Sequence, residues 1–326
     1  MITQLQNSLD EPRKSLKRYS HIPDFLIIGA GKSGTTSLDK YLQQHPEIFI
    51  PAFKEPNFYG YENSKAEQFN NPDDQNHFRQ SVTNLQDYLK LFTNATPDQV
   101  IGETSNTYLY HEGVPERIKY YNPDMKLIAV LRQPAGRLYS RFMHLARENR
   151  TPTATFEECF DKNTIWWKRN DLVKEGFYYK NLSKFYETFP RENIRVFLYE
   201  DFNSNPEKVL KEIYQFLGVK ADFQTNHTTR FNQSGFIRNK FLDKIYGQKG
   251  VVTGTLKTML PKSVIKTLKS SMFVQKQLND LRSKNLAKPK MDLEVRKKLT
   301  SEVYGDDIRQ LEKLIERDLS HWFVSK

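Results

Sequence analysis

The sequence predicts an α/β protein: an open parallel sheet with helices on both faces and a basic helical insertion near the C-terminus. Three observations predict it. The apolar runs at 24–28, 125–131 and 194–199 are continuous rather than alternating, as in strands covered on both faces. Stretches with helical spacing, at 37–44, 136–147, 178–189 and 206–217, alternate with them. A turn containing Gly29, Gly31 and Gly34 joins the first run to the first helix.

Residues 1–22 read as a polar tail and 23–326 as one domain. The first strand leads through the glycine turn into a helix that stops at His45-Pro46, because proline lacks the N–H that a helix needs. A second apolar piece at 48–50 runs into Pro51 and then Lys54-Glu55-Pro56-Asn57-Phe58-Tyr59. Residues 62–80, rich in Asn, Asp and Gln, read as a surface loop with some helix. Val100–Gly102 opens the polar segment that continues to Tyr110. The helix at 206–217 closes at Gly218, a natural C-terminal cap. From Asp292 to Leu319 the spacing of Leu293, Leu299, Val303, Ile308, Leu311 and Leu314 predicts a single last helical element.

Composition narrows the class. With 22 Phe and 17 Tyr among 326 residues, the chain carries the large apolar side chains that a folded core requires. Cys159 is the only cysteine, which excludes an internal disulfide framework and Cys-rich zinc sites and fits a reducing compartment. No apolar run reaches the roughly 20 residues of a membrane span. Residues 1–20 lack the apolar core of a signal peptide, so the chain reads as a cytoplasmic, bacterial enzyme, peripheral to a membrane at most. The net charge is +11, and residues 236–290 hold 13 Lys and Arg against Asp243 and Asp280, which accounts for all of it. This segment is expected to form a lid, and it suits contact with an anionic polymer or membrane surface. No nucleic-acid partner is expected.

The glycine turn carries the chemistry. A strand that delivers such a loop to a helix N-terminus gathers backbone N–H groups and the positive end of the helix dipole around one point, which is an anion site. Lys32 adds a full charge there, and Thr35 and Thr36 add hydroxyls. The turn is P-loop-like. However, in the nucleotide-triphosphate pattern that Gly29 and Gly34 would frame, Thr35 stands at the lysine position, and no clear magnesium-binding aspartate accompanies it. A phosphoester donor handled without a metal fits better than a kinase or nucleotide hydrolase.

The segment Lys32-Ser33-Gly34-Thr35-Thr36-Ser37-Leu38 resembles the 5′-phosphosulfate loop of sulfotransferases that use 3′-phosphoadenosine 5′-phosphosulfate (PAPS). The segment from Lys126 through Arg132 to Ser140 resembles their 3′-phosphate motif. Further matches to the heparan-sulfate type and its bacterial counterparts are Lys54–Tyr59, Gly176-Phe177-Tyr178, Tyr199–Phe202, Phe231-Asn232 and Met291–Leu299, in order across 23–322.

This resemblance implies sulfuryl transfer from PAPS to a hydroxyl or amine of a carbohydrate-like acceptor, releasing 3′-phosphoadenosine 5′-phosphate (PAP) without a metal. Lys32 is then expected to neutralise the leaving phosphate, with Ser33, Gly34, Thr35, Thr36, Ser37 and the loop amides around it. Arg132 and Ser140 are expected to hold the 3′-phosphate, with Arg137 in a supporting place. Glu55 matches the general base, and His144 and His77 are its rivals. Two positions depart from the family: Thr104 stands where many relatives have lysine, and Ser283-Lys284-Asn285-Leu286 replaces a Ser-Lys-Gly-Arg loop that closes on the nucleotide. Lys284 remains a candidate donor ligand, and Phe236 falls in a region near adenine. The same composition leaves a polyanion- or membrane-binding protein as a competing reading.

Overall fold

The computed structural model describes residues 21–69, 72–148, 150–227, 236–237, 286–287 and 290–324. The tail reading for 1–20, most of the predicted lid at 236–290, and Lys284 lie outside the described residues. Strands β1 (Phe25–Gly29), β2 (Ile48–Phe49), β3 (Val100–Thr104), β4 (Lys126–Leu131) and β5 (Ile194–Leu198) form one sheet in the order β2-β3-β1-β4-β5. All of its pairings are parallel.

The continuous hydrophobicity of the strands divides between two faces. Leu26 and Ile28 of β1, with Leu127, Ala129 and Leu131 of β4, enter one core, whereas Phe25, Ile27, Ile128 and Val130 enter the other. Helix α1 (Thr35–Leu42) covers the second face, while α2 (Val114–Tyr121), α3 (Pro134–Arg147) and α4 (Tyr178–Thr188) cover the first. Helix α5 (Pro206–Leu217) joins α1, and α6 (Gly305–Ile315) packs with the first group. This is the predicted doubly covered sheet.

Capping explains the boundaries nearest the site. Pro134 occupies the first turn of α3, where its missing N–H costs nothing, and the Gln133 side chain accepts the Gly136 N–H at 2.6 Å. Asn205 does the same for α5 by accepting the Lys208 N–H at 3.0 Å, and Gly218 closes that helix at φ 81°.

Strand β3 runs on from Gly102 through Glu103 and Thr104, which pair with Leu26 and Ile27. Polar side chains can extend a buried strand because each finds partners: Glu103 accepts from Tyr88, Tyr108 and Ser105, and Thr104 donates to Asp39. One expectation needs correction: the segment from Asp292 to Leu319 is not one helix. It divides into Leu293–Lys298, a wider π turn at Leu299–Val303, and α6, because Tyr304 is drawn into the core to donate to the Val173 carbonyl at 3.0 Å. At the ends of the 236–290 segment, Phe236–Ile237 pairs antiparallel with Leu286–Ala287, and this ribbon lies beside α3. Among the described residues no helix is long and apolar enough to cross a membrane.

Candidate active site

The chain leaves β1 toward β3 and β2 on one side and builds β4 and β5 on the other, so the carboxyl ends of β1 and β4 flank a topological switch point, where open α/β sheets bind ligands. The glycine turn follows β1 and Arg132 follows β4. They meet there: Arg132 Nη1 donates to the Lys32 carbonyl at 3.3 Å, and the guanidinium lies 4.9 Å from the centre of the Tyr199 ring. Tyr199 also bounds the loop, since a Cβ at Gly34 would stand 3.1 Å from its ring. Gly34 is therefore required twice, by that contact and by its φ of 91°.

Two of the expected chemical residues have left-handed backbone, Lys32 at φ 68° and Glu55 at φ 57°. Such conformations cost on the order of 1–3 kcal/mol in a residue with a Cβ and persist where surroundings enforce them. For Glu55 the surroundings are visible. Its N–H donates to the Thr104 carbonyl at 3.1 Å, its carbonyl accepts from Asn57 Nδ2 at 2.8 Å, and its Oε1 accepts from Asn106 Nδ2 at 2.9 Å. Lys54 links this turn to the glycine loop, because Nζ bonds Thr36 Oγ1 at 2.6 Å and lies 3.5 Å from Glu55 Oε1.

The loop is strongly electropositive. Burial, then the like charges of Arg141, Arg147 and Arg132, bring the Lys32 ammonium down to about 7. Burial, then Lys32 and Arg141, bring the His144 imidazole down to about 3, so it stays neutral at ordinary pH and is a weak base. His77 is lowered by burial as well, within the field of Asp171, Arg141 and Glu55. Asp171 does not neutralise the loop, because it is shared by Arg141 and by Arg169, 2.8 Å away. Burial opposes ionisation of Asp171, but the two guanidiniums outweigh it and hold the carboxyl well below the usual range.

An anion fits this loop. Ser33 Oγ is buried without a hydrogen-bond partner, an arrangement costly enough to imply a missing acceptor or donor. The first turn of α1 contains no acidic residue and receives no side-chain cap. Thr35 is buried, while Thr36 and Ser37 are partly exposed.

One loop amide is nevertheless unavailable to a ligand. The Gly31 N–H donates to Glu175 Oε1 at 2.6 Å, so it is not among the amides that a ligand in the loop can use. Glu175, Lys54 and Tyr199 had no role in the sequence reading. Lys54 and Tyr199 sit within recognised motifs and could have been singled out, whereas Glu175 merely precedes Gly176.

Arg137 is wholly buried and pairs with Glu175 at 2.7 Å. Ser140 is buried on α3, and its spacing from Gln133 and Arg137 puts it on the same helical face. Thr104 is buried and bonds Asp39 Oδ2 at 2.8 Å. Lys54 and Lys40 both counteract the upward shift that burial imposes on Asp39, and Lys40 Nζ lies 3.9 Å from Asp39 Oδ1.

Comparisons with known proteins agree with this architecture. The chain is 27% identical over 240 residues to the human bifunctional heparan sulfate N-deacetylase/N-sulfotransferase 2, an overlap covering 70% of this chain and 26% of that protein. It is 27% identical over 245 residues to the mouse bifunctional heparan sulfate N-deacetylase/N-sulfotransferase 4, covering 71% and 27%. The chain thus spans about a quarter of the length of these curated relatives. The crystal structure of a sulfotransferase from Alicyclobacillus acidocaldarius superposes with a TM-score of 0.67 at 27% identity, over 92% of this chain and 98% of that one. The profile of the sulfotransferase domain matches residues 22–324, and the chain belongs to that family of sulfuryl-transferring enzymes.

Proposed function

We propose that this sulfotransferase uses PAPS as donor and sulfates a hydroxyl or amine of a carbohydrate acceptor. The observation that carries the reading is the meeting of Lys32, Arg132 and the Lys54-Glu55 turn around one electropositive loop at the switch point of the sheet. The partnerless Ser33 hydroxyl supports a ligand with several anionic oxygens. The carbohydrate acceptor is supported by the heparan sulfate N-sulfotransferases to which the chain is similar.

When bound, the nucleotide supplies an activated sulfuryl group and a phosphate leaving group. Lys32 neutralises charge on that leaving phosphate, and the hydroxyls and amides of Ser33–Ser37 orient it. Arg132 grips the 3′-phosphate through charge-assisted hydrogen bonds, with Ser140 from the following helix. Glu55 accepts the acceptor proton as the new S–O or S–N bond forms, and Asn106 and Lys54 hold its carboxylate in place. Catalysis on this account is positioning and charge stabilisation, which suits residues fixed by backbone bonds rather than mobile tips.

The experiment is transfer of labelled sulfate from PAPS to a panel of N-unsubstituted and O-unsubstituted glycosaminoglycans, glycolipids and small phenols. Labelled carbohydrate is the expected product. Labelling of phenols alone, or of nothing while PAP binds tightly, would overturn the acceptor assignment.

A further inference from the structure

Glu175 has no place in the mechanism above, yet it touches both halves of the donor site. Its Oε1 accepts the Gly31 N–H from the loop after β1, and its Oε2 accepts from Arg137 Nη1 of α3, the helix that Arg132 leads into. Arg137 spends its remaining reach on the carbonyls of Asp171, at 3.2 Å, and Leu172. Both charged groups are withdrawn from solvent, Arg137 at 0% exposure and Glu175 at 2%.

A side chain at 31 would crowd this contact, because a Cβ there would stand 3.0 Å from Glu175 Oε1. The segment carrying Glu175 is itself clamped. Tyr304 donates to the Val173 carbonyl at 3.0 Å, and its ring lies where a Cβ on Gly176 would come within 2.7 Å. Stability alone explains such a pair poorly, since a buried ion pair is commonly no better than the apolar residues that could replace it. It also takes up an N–H in a loop whose purpose is to offer N–H groups. What the pair does supply is a rigid, directional link between two elements that meet at the ligand.

We propose that Glu175 is a positioning residue for the sulfuryl donor, a strut that sets the separation and orientation of the loop around Lys32 relative to Arg132 and its helix. This rests on the reading of that loop and Arg132 as the two grips on PAPS. Burial pushes the Glu175 carboxyl up to about 7 against the opposing pull of Arg137 and the Gly31 N–H, and the guanidinium keeps its charge. Both carboxyl oxygens accept hydrogen bonds, one from the Gly31 N–H and one from Arg137, which is how the strut is bonded.

The test uses the full chain as wild type, as Glu175→Gln, which keeps the shape, and as a Glu175→Leu/Arg137→Met double variant, which leaves no buried charge unpaired. Amide hydrogen exchange is read at Gly31–Gly34, with PAP affinity by calorimetry and the KM for PAPS set against kcat. In a double variant that melts cooperatively, Gly31 exchange is expected to rise, and PAP affinity to fall about tenfold, the equivalent of one charge-assisted bond. The KM for the acceptor is expected to hold. Wild-type exchange at Gly31, or wild-type PAP affinity, in the folded double variant would overturn the strut. Failure of the wild type to bind PAP would instead refute the donor reading, and Gly31 exchange would still decide whether Glu175 holds the loop.

Discussion

Donor binding should weaken as pH rises through neutrality, and Lys32 should be the cause. In the free protein, burial and the charges of Arg141, Arg147 and Arg132 hold its ammonium at about 7. Phosphate oxygens placed against it favour the charged form, so the bound pKa rises toward the ordinary lysine value. The free protein is then about nine-tenths protonated at pH 6 and about one-tenth at pH 8, whereas the complex stays protonated throughout. Apparent PAP affinity should fall about tenfold over that interval, or about 1.4 kcal/mol. Complex formation at pH 7 should take up about half a proton.

Calorimetry in buffers of different ionisation enthalpy measures both quantities. The phosphates of PAP also titrate, near pH 6, and Lys32→Met serves as the control because it keeps the three arginines and that ligand titration. Its affinity should be weaker at pH 6 and lack the loss between pH 6 and 8. Equal pH slopes for the wild type and Lys32→Met would refute the placement of Lys32 against the donor.

Replacing Arg132 with methionine should remove about 1.5–3 kcal/mol of PAP affinity, and replacement with lysine should restore only part, since the planar fork is lost. Unchanged PAP affinity in Arg132→Met would remove that residue from the donor site. Glu55→Gln should bind PAP normally and melt like the wild type yet lose turnover; a turnover near wild type would transfer the base role to another group. Gly34→Ala should destabilise the fold by about 1–2 kcal/mol, because its φ of 91° is unfavourable for a residue with a Cβ and Tyr199 stands 3.1 Å from the added atom. A melting temperature equal to wild type would contradict that geometry.

Glu103 gives a stability prediction with a defined sign. Burial raises its carboxyl to about 7 from an ordinary 4.5, against the bonds from Tyr108, Ser105 and Tyr88, so the folded state holds the proton more tightly than the unfolded. Its stabilisation is complete below pH 4.5 and is lost as pH climbs to about 7. Urea unfolding at pH 5 and pH 8 should show Glu103→Gln gaining on the wild type at the higher pH by on the order of 3 kcal/mol. A gap independent of pH would show that Glu103 ionises freely in the fold.

Much of the fold was legible because its signals are local. Unbroken apolar runs identify strands covered on both faces, and β1, β4 and β5 came out within a residue or two of their limits. The strand role of Glu103 and Thr104 was not legible, because both look like loop residues until Tyr88, Tyr108, Ser105 and Asp39 are seen to satisfy them. The last segment was read as one helix because its apolar spacing survives the π turn, whereas the break comes from Tyr304 reaching the Val173 carbonyl, 131 residues away in sequence.

Sequence by itself determined the chemistry of the loop. Three glycines, a lysine and adjacent hydroxyls between a strand and a helix are what an anion-binding turn requires. Thr35 at the kinase-lysine position turned the reading away from kinases, while the resemblance of this loop and of the Arg132–Ser140 segment to sulfotransferase motifs implied the sulfuryl donor. Tertiary structure decided what surrounds that turn. Arg132 meets Lys32 across 100 residues and Glu175 meets Gly31 across 144, and neither contact has a local signature. The lowered Lys32 ammonium likewise depends on charges that only folding gathers. Side-chain types and spacing specify which groups a turn can offer, while field and burial are sums over neighbours that lie far apart in the chain.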